Sequence, residues 1–312
     1  MKFLNRFDYS FDFLGKRKIA MRSSMVFMLI AIASLAIWKL EFGIDFTGGT
    51  LVEVGYEQSV ELEPIRQILH TNGFSDAVVQ HFGTTKDVLI RLGVHEELNN
   101  ETLSNQILDL LKQNGTAVEM RRVEFVGPQV GSELVEKGGL AVLLTLIGIL
   151  IYVSLRFEYR FAVGAVAALV HDTLFVVGAF SLFRIEFDLT VLAAVLAVIG
   201  YSLNDTIVVF DRIRDNFLKM RKQTPVEVMN KSINQILGRT VMTSMTTLLV
   251  LIVLFTVGGE LIHGFSLALI IGVVVGTYSS IYIASASALA LGVSKADLMP
   301  VQKEGAELDN IP

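Results

Sequence analysis

Asp205 has the strongest claim to chemistry in this 312-residue chain, because it stands in Tyr201-Ser202-Leu203-Asn204-Asp205-Thr206 within an otherwise uncharged apolar stretch. A carboxylate placed there costs roughly 2.5–3.5 kcal/mol on membrane-insertion scales, so its default reading is a site turned toward neighbouring helices. It lies roughly 9 Å inside the border marked by Asp211. Arg239 opens a later apolar stretch on the same side of the membrane, and the two can meet. An arginine beside a partly buried carboxylate favours the charged form, and burial favours the protonated one, so a change in hydration or helix spacing can load or release a proton. Arg212, seven residues after Asp205 on the same helical face, competes as a partner. Asn204 and Thr206 flank the carboxylate as members of the same candidate proton or ion path. The alternative use of Asp205 is a static polar lock between helices.

A second ionisable pair, His171-Asp172, falls in the middle of another apolar stretch. It either joins the ion path or hydrogen-bonds to a Ser or Thr of a neighbouring helix and does nothing more. Thr243, Ser244, Thr246 and Thr247 are candidates to line a hydrated route. Other chemistries lack their residues. With no cysteine, thiol and disulfide chemistry are absent. His70, His81, His95, His171 and His263 show no metal-ligand spacing, and no P-loop or nucleophile elbow occurs, so no metal, cofactor or nucleotide hydrolysis is expected. An intramembrane protease needs aspartate contexts that Asp172 and Asp205 do not have.

These residues need membrane helices to position them. Hydrophobic residues make up 52% of the chain and charged ones only 18%, beyond what a soluble domain carries. The apolar residues fall into six blocks, predicting transmembrane helices at 23–40, 138–155, 161–183, 189–210, 240–259 and 264–291. Lys and Arg resist translocation. They mark the 1–22 terminus (Lys2, Arg6, Lys16, Arg17, Lys18, Arg22), the Arg156/Arg160 turn and the connector 211–239 as cytoplasmic. Segment 41–137 holds sixteen acids against seven bases and is placed outside, leaving both termini, including the 292–312 tail, inside. The first apolar run imitates a secretory signal around Ala31, Ala33 and Ala36, but continues to Trp38 as a retained anchor would.

Within 41–137 the period changes. Alternating runs at Thr50–Tyr56, Ala77–Phe82, Val88–Leu92 and Val118–Val126 predict strands, and Glu61–Thr71 and Thr102–Gln113 predict helices stopped at Asn72-Gly73 and Asn114-Gly115. The order β-α-β-β-α-β predicts a small α+β ferredoxin-like periplasmic domain between helices 1 and 2. Its surface either contacts a partner or passing chain, or is an inert cap. Gly43-Ile44-Asp45-Phe46-Thr47-Gly48-Gly49 and Val126-Gly127-Pro128-Gln129-Val130-Gly131 bracket it, as hinges or as plain tight turns. In the last helix Ala268, Gly272, Gly276, Ser280, Ala284 and Ala288 recur every four residues, a ridge that lets another helix, of this chain or another, approach closely. In the connector, Thr224-Pro225-Val226-Glu227 is a capping box. The helix it starts has an apolar face of Val226, Met229, Ile233, Ile236 and Leu237 and is expected on the membrane surface.

The Gly43–Gly49, Val126–Gly131 and Tyr201–Arg214 motifs resemble those of the SecD/SecF family of bacterial protein-export membrane proteins, specifically its SecF half. Phe13-Leu14-Gly15-Lys16-Arg17 and Gly238-Arg239-Thr240-Val241-Met242-Thr243-Ser244 add shorter matches. The likeness covers roughly Phe11 to Leu291. It implies membership of the resistance-nodulation-division superfamily, whose six-helix units repeat. It also implies the bacterial inner membrane and partnership with SecD and the SecYEG translocon, with YajC, membrane lipid and a translocating unfolded polypeptide as further contacts and nucleic acid as none. Export would be driven by the proton-motive force, with sodium as the coupling ion in some relatives. By resemblance, Asp205 and Arg239 would move the proton. A small-molecule or lipid exporter of the same superfamily, or a non-transporting scaffold of the translocon, are the alternatives. The exporter reading expects two large external insertions that this chain does not have.

Overall fold

In the computed structural model, which describes residues 11–94, 100–113, 117–220 and 222–293, every apolar block becomes a helix. The six candidate spans are Leu14–Ile37, Pro128–Arg156, Tyr159–Leu182, Leu189–Lys219, Pro225–Val257 and His263–Ala290. Within them α1 is Arg17–Ile37, α5 Pro128–Arg156, α6 Tyr159–Leu182, α7 Leu189–Lys219, α8 Pro225–Val257, and the last span divides into α9 (His263–Ser279), a π segment (Ser280–Ala284) and α10 (Ser285–Ala290). Residues 1–10, the 294–312 end of the tail, His95 and the Asn114-Gly115 stop lie outside the described residues.

The helices differ in length from expectation. α5 starts at Pro128, ten residues before the apolar block, since proline suits a first helical position and nothing later breaks the ladder. The connector is not a separate surface helix. α7 runs on to Lys219, and α8 carries the capping box and the fifth apolar block as one 33-residue helix. Thr224 Oγ1 accepts from Glu227 N–H at 3.4 Å, and Glu227 Oε2 accepts from Thr224 N–H at 2.9 Å. Its apolar face is covered by protein rather than lipid: Val228, Met229 and Ile233 are buried in a cluster with Phe210, Ile213 and Phe217 of α7 and Phe161 of α6.

The α/β unit contains β2 (Gly49–Tyr56), α3 (Leu62–Thr71), β3 (Val78–Phe82), β4 (Thr84–Leu92), α4 (Asn100–Lys112) and β5 (Val118–Val126). The strands order β3-β4-β2-β5, all antiparallel. One sheet face (Val52, Val54, Val88, Ile90, Leu92) packs on Ile65 and Leu69 of α3 and Leu103, Ile107 and Leu111 of α4. The alternation of β2 leaves Leu51 on the opposite face, where it meets Leu89 and Ile44 of the short helix α2 (Ile44–Thr47).

A feature absent from the sequence reading ties this unit to the bundle. Glu41–Phe42 (β1) pairs in parallel with Glu186–Phe187 (β6), between α6 and α7. Beside it the two glycine motifs meet. Gly48 has φ +71, a left-handed angle that favours glycine, and sits against Pro128. Gly131 is not a turn residue; it lies in the first turn of α5, where any Cβ would stand 2.7 Å from Phe46 O and 2.9 Å from Gly48 N.

The bundle interior has two apolar layers. One gathers Leu14, Phe161, Phe210, Ile213 and Met229. The other gathers Phe46, Phe180, Phe187, Val191, Val195, Val198 and Ala268. On α7 the residues between them, Ser202, Asp205 and Thr206, are polar and buried.

Gly131→Ala forces the motifs apart and is expected to cost about 1–3 kcal/mol, read as a lower thermal unfolding midpoint in detergent. Gly139→Ala, whose added Cβ meets nothing within 4 Å, is the control and is expected to leave the midpoint unchanged or raised.

Candidate functional site

Asp205 is 8% exposed, and both its oxygens are occupied. Thr240 of α8 donates from Oγ1 to Oδ1 at 2.9 Å, and Ser280, first residue of the π segment, donates to Oδ2 at 2.6 Å. Three helices therefore converge on one carboxylate. Neither proposed cation touches it. Arg239 is exposed and is close enough to act through its charge, yet it forms no ion pair with Asp205. Its place is one residue before Thr240, so the helical turn that aims Thr240 inward aims Arg239 outward. Arg239 lines an open groove with Asp211, Arg212, Asp215 and Gln235. Arg212 donates from Nε to Gln235 Oε1 at 2.7 Å and is not a partner of Asp205 either. Asn204 faces outward, whereas Thr206 is wholly buried and its hydroxyl has no partner among the described residues.

Of the four hydroxyls proposed for a hydrated route, one faces the interior. Thr243, Thr246 and Thr247 bond back to carbonyls of their own helix. Ser244 is buried, pairs with Thr277 of α9 at 2.7 Å and accepts from Tyr201 of α7 at 3.4 Å. Asp172 is fully buried, with Ser202 and Ser279 each donating to Oδ2 at 2.6 Å and His171 Nδ1 at 2.9 Å from Oδ1.

The small-residue ridge finds its partners inside this chain. Gly276 packs on Ser202 of α7, with a Cβ there 3.1 Å from that of Ser202, and Ala284 and Ala288 pack on Gly164 of α6. Ala268 lies in the apolar layer around Val191 and Val198, and Gly272 stands against Val198. The ridge changes partner at the π segment, whose wider turn rotates the face. Ser280 is thus more than a small residue: it holds Asp205. The single serine in a stripe otherwise made of alanine and glycine was the signal.

At the junction with the α/β unit, Asp188 caps α7 by accepting from Val191 N–H at 2.7 Å, and Asp45 accepts from Leu189 N–H at 2.9 Å. The glycine motif is therefore bonded to the helix that carries Asp205. Arg91 of β4, which sequence reasoning did not single out, donates to Phe42 O at 3.0 Å and to Glu186 at 3.4 Å. Burial pushes the Glu186 carboxyl above the usual carboxylate range; Arg91 opposes this, and Asp188 and Asp45 add to it. The burial effect exceeds the ion pair because the Arg91–Glu186 contact, at 3.4 Å, is longer than an ideal charge-assisted hydrogen bond and its donor is shared with the Phe42 carbonyl.

A carboxyl raised on folding contributes stability that is full below its unfolded value and is lost as pH rises through its folded value. Unfolding measured between about pH 4 and 7 is therefore expected to show a loss of stability with rising pH that Glu186→Gln flattens.

Comparison with known proteins was consistent with this architecture. The family described as "Protein export membrane protein SecD/SecF, C-terminal" matches residues 106–294, and the "SecD/SecF GG Motif" matches residues 34–60. The chain is 55% identical over 308 residues to the protein translocase subunit SecF of Vibrio alginolyticus, covering 98% of each. It is 48% identical to that of Pseudomonas aeruginosa, covering 93% of this chain and 94% of the relative. Among solved structures, the crystal structure of SecDF, a translocon-associated membrane protein of Thermus thermophilus, superposes with a TM-score of 0.84 at 37% identity. That match covers 93% of this chain and 39% of the SecDF chain, so the present chain spans about two-fifths of it. With both motif regions and nearly the whole length matched, the chain belongs to the SecD/SecF family of protein export membrane proteins.

Proposed function

We propose that this chain acts as a SecF-type subunit of the Sec protein-translocation machinery, working with SecD beside SecYEG to promote export of secreted chains with the proton-motive force. One observation carries the ion-driven part of this reading: a carboxylate buried between two apolar layers and held, among the described residues, by hydroxyls of two other elements. Hydroxyls can donate to a carboxylate and accept from a carboxylic acid, so the site accommodates both protonation states without a stranded group. Arg239 supplies a nearby positive field rather than an ion pair. Protons are the coupling ion, and the subunit performs no hydrolysis of its own.

The Lys and Arg distribution supports cytoplasmic termini and a periplasmic α/β unit, in which the strand order β3-β4-β2-β5 supports the ferredoxin-like assignment. Protonation of Asp205 weakens its hold on Thr240 and Ser280. α7 then shifts, and its N-terminus carries Asp45, the glycine motifs and the α/β unit with it. One charge crossing 100 mV supplies about 2.3 kcal/mol, so a few protons suffice to bias such a rotation. SecD covers part of the apolar surface of α5 and α8, where Leu144, Ile151, Leu249 and Val253 are more than half exposed; lipid and YajC are candidates for the remainder. The unfolded export substrate is the polymer that the moving unit assists.

In cells depleted of the native subunit, the unchanged chain is expected to restore secretion of a reporter. Asp205→Asn is expected to lose the part that collapses with the proton-motive force, and Arg239→Ala to reduce it, with insertion and SecD association normal. Full rescue by Asp205→Asn would show that the carboxylate only holds helices together and would favour a scaffold.

A further inference from the structure

The two buried carboxylates share more than a bundle. Ser279 donates to Asp172 and the next residue, Ser280, donates to Asp205, each at 2.6 Å. On α7, Ser202 donates to Asp172 three residues before Asp205 itself. Adjacent hydroxyls on one backbone thus hold carboxylates of two different helices. Each serine also has another acceptor within reach on its own helix: Gly276 O at 3.2 Å for Ser279 and Thr277 O at 3.1 Å for Ser280. Both can leave a carboxyl group without losing a hydrogen bond. The step lies at the start of the π segment, a wide turn whose hydrogen-bond register can shift and which often marks functional positions.

His171 completes the arrangement. With Nδ1–H toward Asp172, its Nε2 is an acceptor, buried and without a partner among the described residues. The side chain, 7% exposed, lines a cleft of about 280 Å³ between α1, α6 and α9, with Ser23, Ser24, Phe27, Phe175 and Tyr278. Leaving such an acceptor unpaired in an apolar wall is costly, and the adjoining cleft is the side from which a water or a proton can reach it. Of the titratable groups on the elements packed against α6, Tyr278 of α9 stands 6.4 Å from the His171 ring, centroid to centroid. Asp205 of α7 lies beyond the serine pair. α10 has no titratable side chain, and among the described residues none of α1 or α5 bonds to the pair.

We infer that His171–Asp172 is a second proton-binding site, loaded from this cleft and coupled to Asp205 through the neighbouring hydroxyls of Ser279 and Ser280. The inference rests on the reading of Asp205 as the proton carrier. A proton from water at the cleft binds His171 Nε2, giving an imidazolium beside the Asp172 carboxylate. Transfer of the Nδ1 proton to Oδ1 then leaves a neutral acid and a neutral imidazole protonated at Nε2. One proton is gained, and only N–H and O–H bonds change. The neutral acid holds Ser279 less tightly, Ser279 turns toward Gly276 O, and the adjacent Ser280 moves against Asp205.

The test is infrared difference spectroscopy of the full chain with its SecD partner in lipid, following carboxylic-acid C=O bands across about pH 4 to 9. A band deleted by Asp172→Asn is expected to titrate. Its midpoint is expected to move by about one unit or more in Asp205→Asn, the signature of coupled sites, and to move again in His171→Gln. Ser279→Ala keeps both carboxylates and is expected to abolish the response of one to loss of the other. No pH-dependent Asp172 band, or an Asp172 midpoint indifferent to Asp205→Asn, would overturn the inference. Failure of the carrier role itself is read separately, as proton-driven export surviving Asp205→Asn.

Discussion

A carboxylate removed from water must be given hydrogen-bond donors or be neutralised, and the interior of this bundle is arranged around that requirement. Asp205 recruits Thr240 from α8 and Ser280 from the π segment, and Asp172 recruits Ser202 from α7 and Ser279 from the end of α9. Four of the spans (those of α6, α7, α8 and the last) are thereby held in one polar layer, with apolar layers built on Phe161 and Phe210 to one side and Phe180 and Val195 to the other. The close approach that makes these short bonds possible comes from the small residues of α9, because Gly276 must sit against Ser202 for the neighbouring serines to reach their acceptors.

The same constraint makes α7 the structural link between the polar layer and the α/β unit. The helix has 31 residues, a rod of roughly 46 Å at 1.5 Å per residue. At its start Asp45 and Asp188 accept from the free N–H groups of Leu189 and Val191, in its middle stand Ser202 and Asp205, and near its end Asn216 donates to Ser232 of α8 at 2.8 Å. Asp45 belongs to the glycine motif, which packs without clearance on the first turn of α5. The mid-helix carboxylate and the α/β unit are therefore connected through one continuous helix and a few close-packed backbones.

Much of this was legible in the sequence because it follows from local patterns. Six spans, four strands, two unit helices and the capping box come from hydrophobic period, turn residues and end signals. The burial of Asp205 among other helices follows from the rarity of charge in an apolar stretch. The sequence reading of Arg239 as a direct partner did not hold, since residues adjacent on a helix point in directions about 100° apart, and Thr240 took the inward one. The connector likewise read as a surface helix because its apolar stripe is the same whether it meets lipid or another helix; the continuation of α7 through Ile213 and Phe217 decided for protein.

By itself, then, the sequence determined what is periodic and chemical: a membrane-spanning chain, its family motifs, and the carboxylates whose burial demands an explanation. Only the tertiary structure decided who meets whom. The pairing of β1 with β6, the hold of Arg91 on that pair, and the Ser279-Ser280 step between two carboxylates join residues 30 to more than 140 positions apart. A hydroxyl in a helix carries no mark of its acceptor; it can return to its own carbonyl, as Thr243 does, or reach a neighbouring acid, as Thr240 does. Packing makes that choice, because it sets which carbonyls and carboxylates lie within about 3 Å.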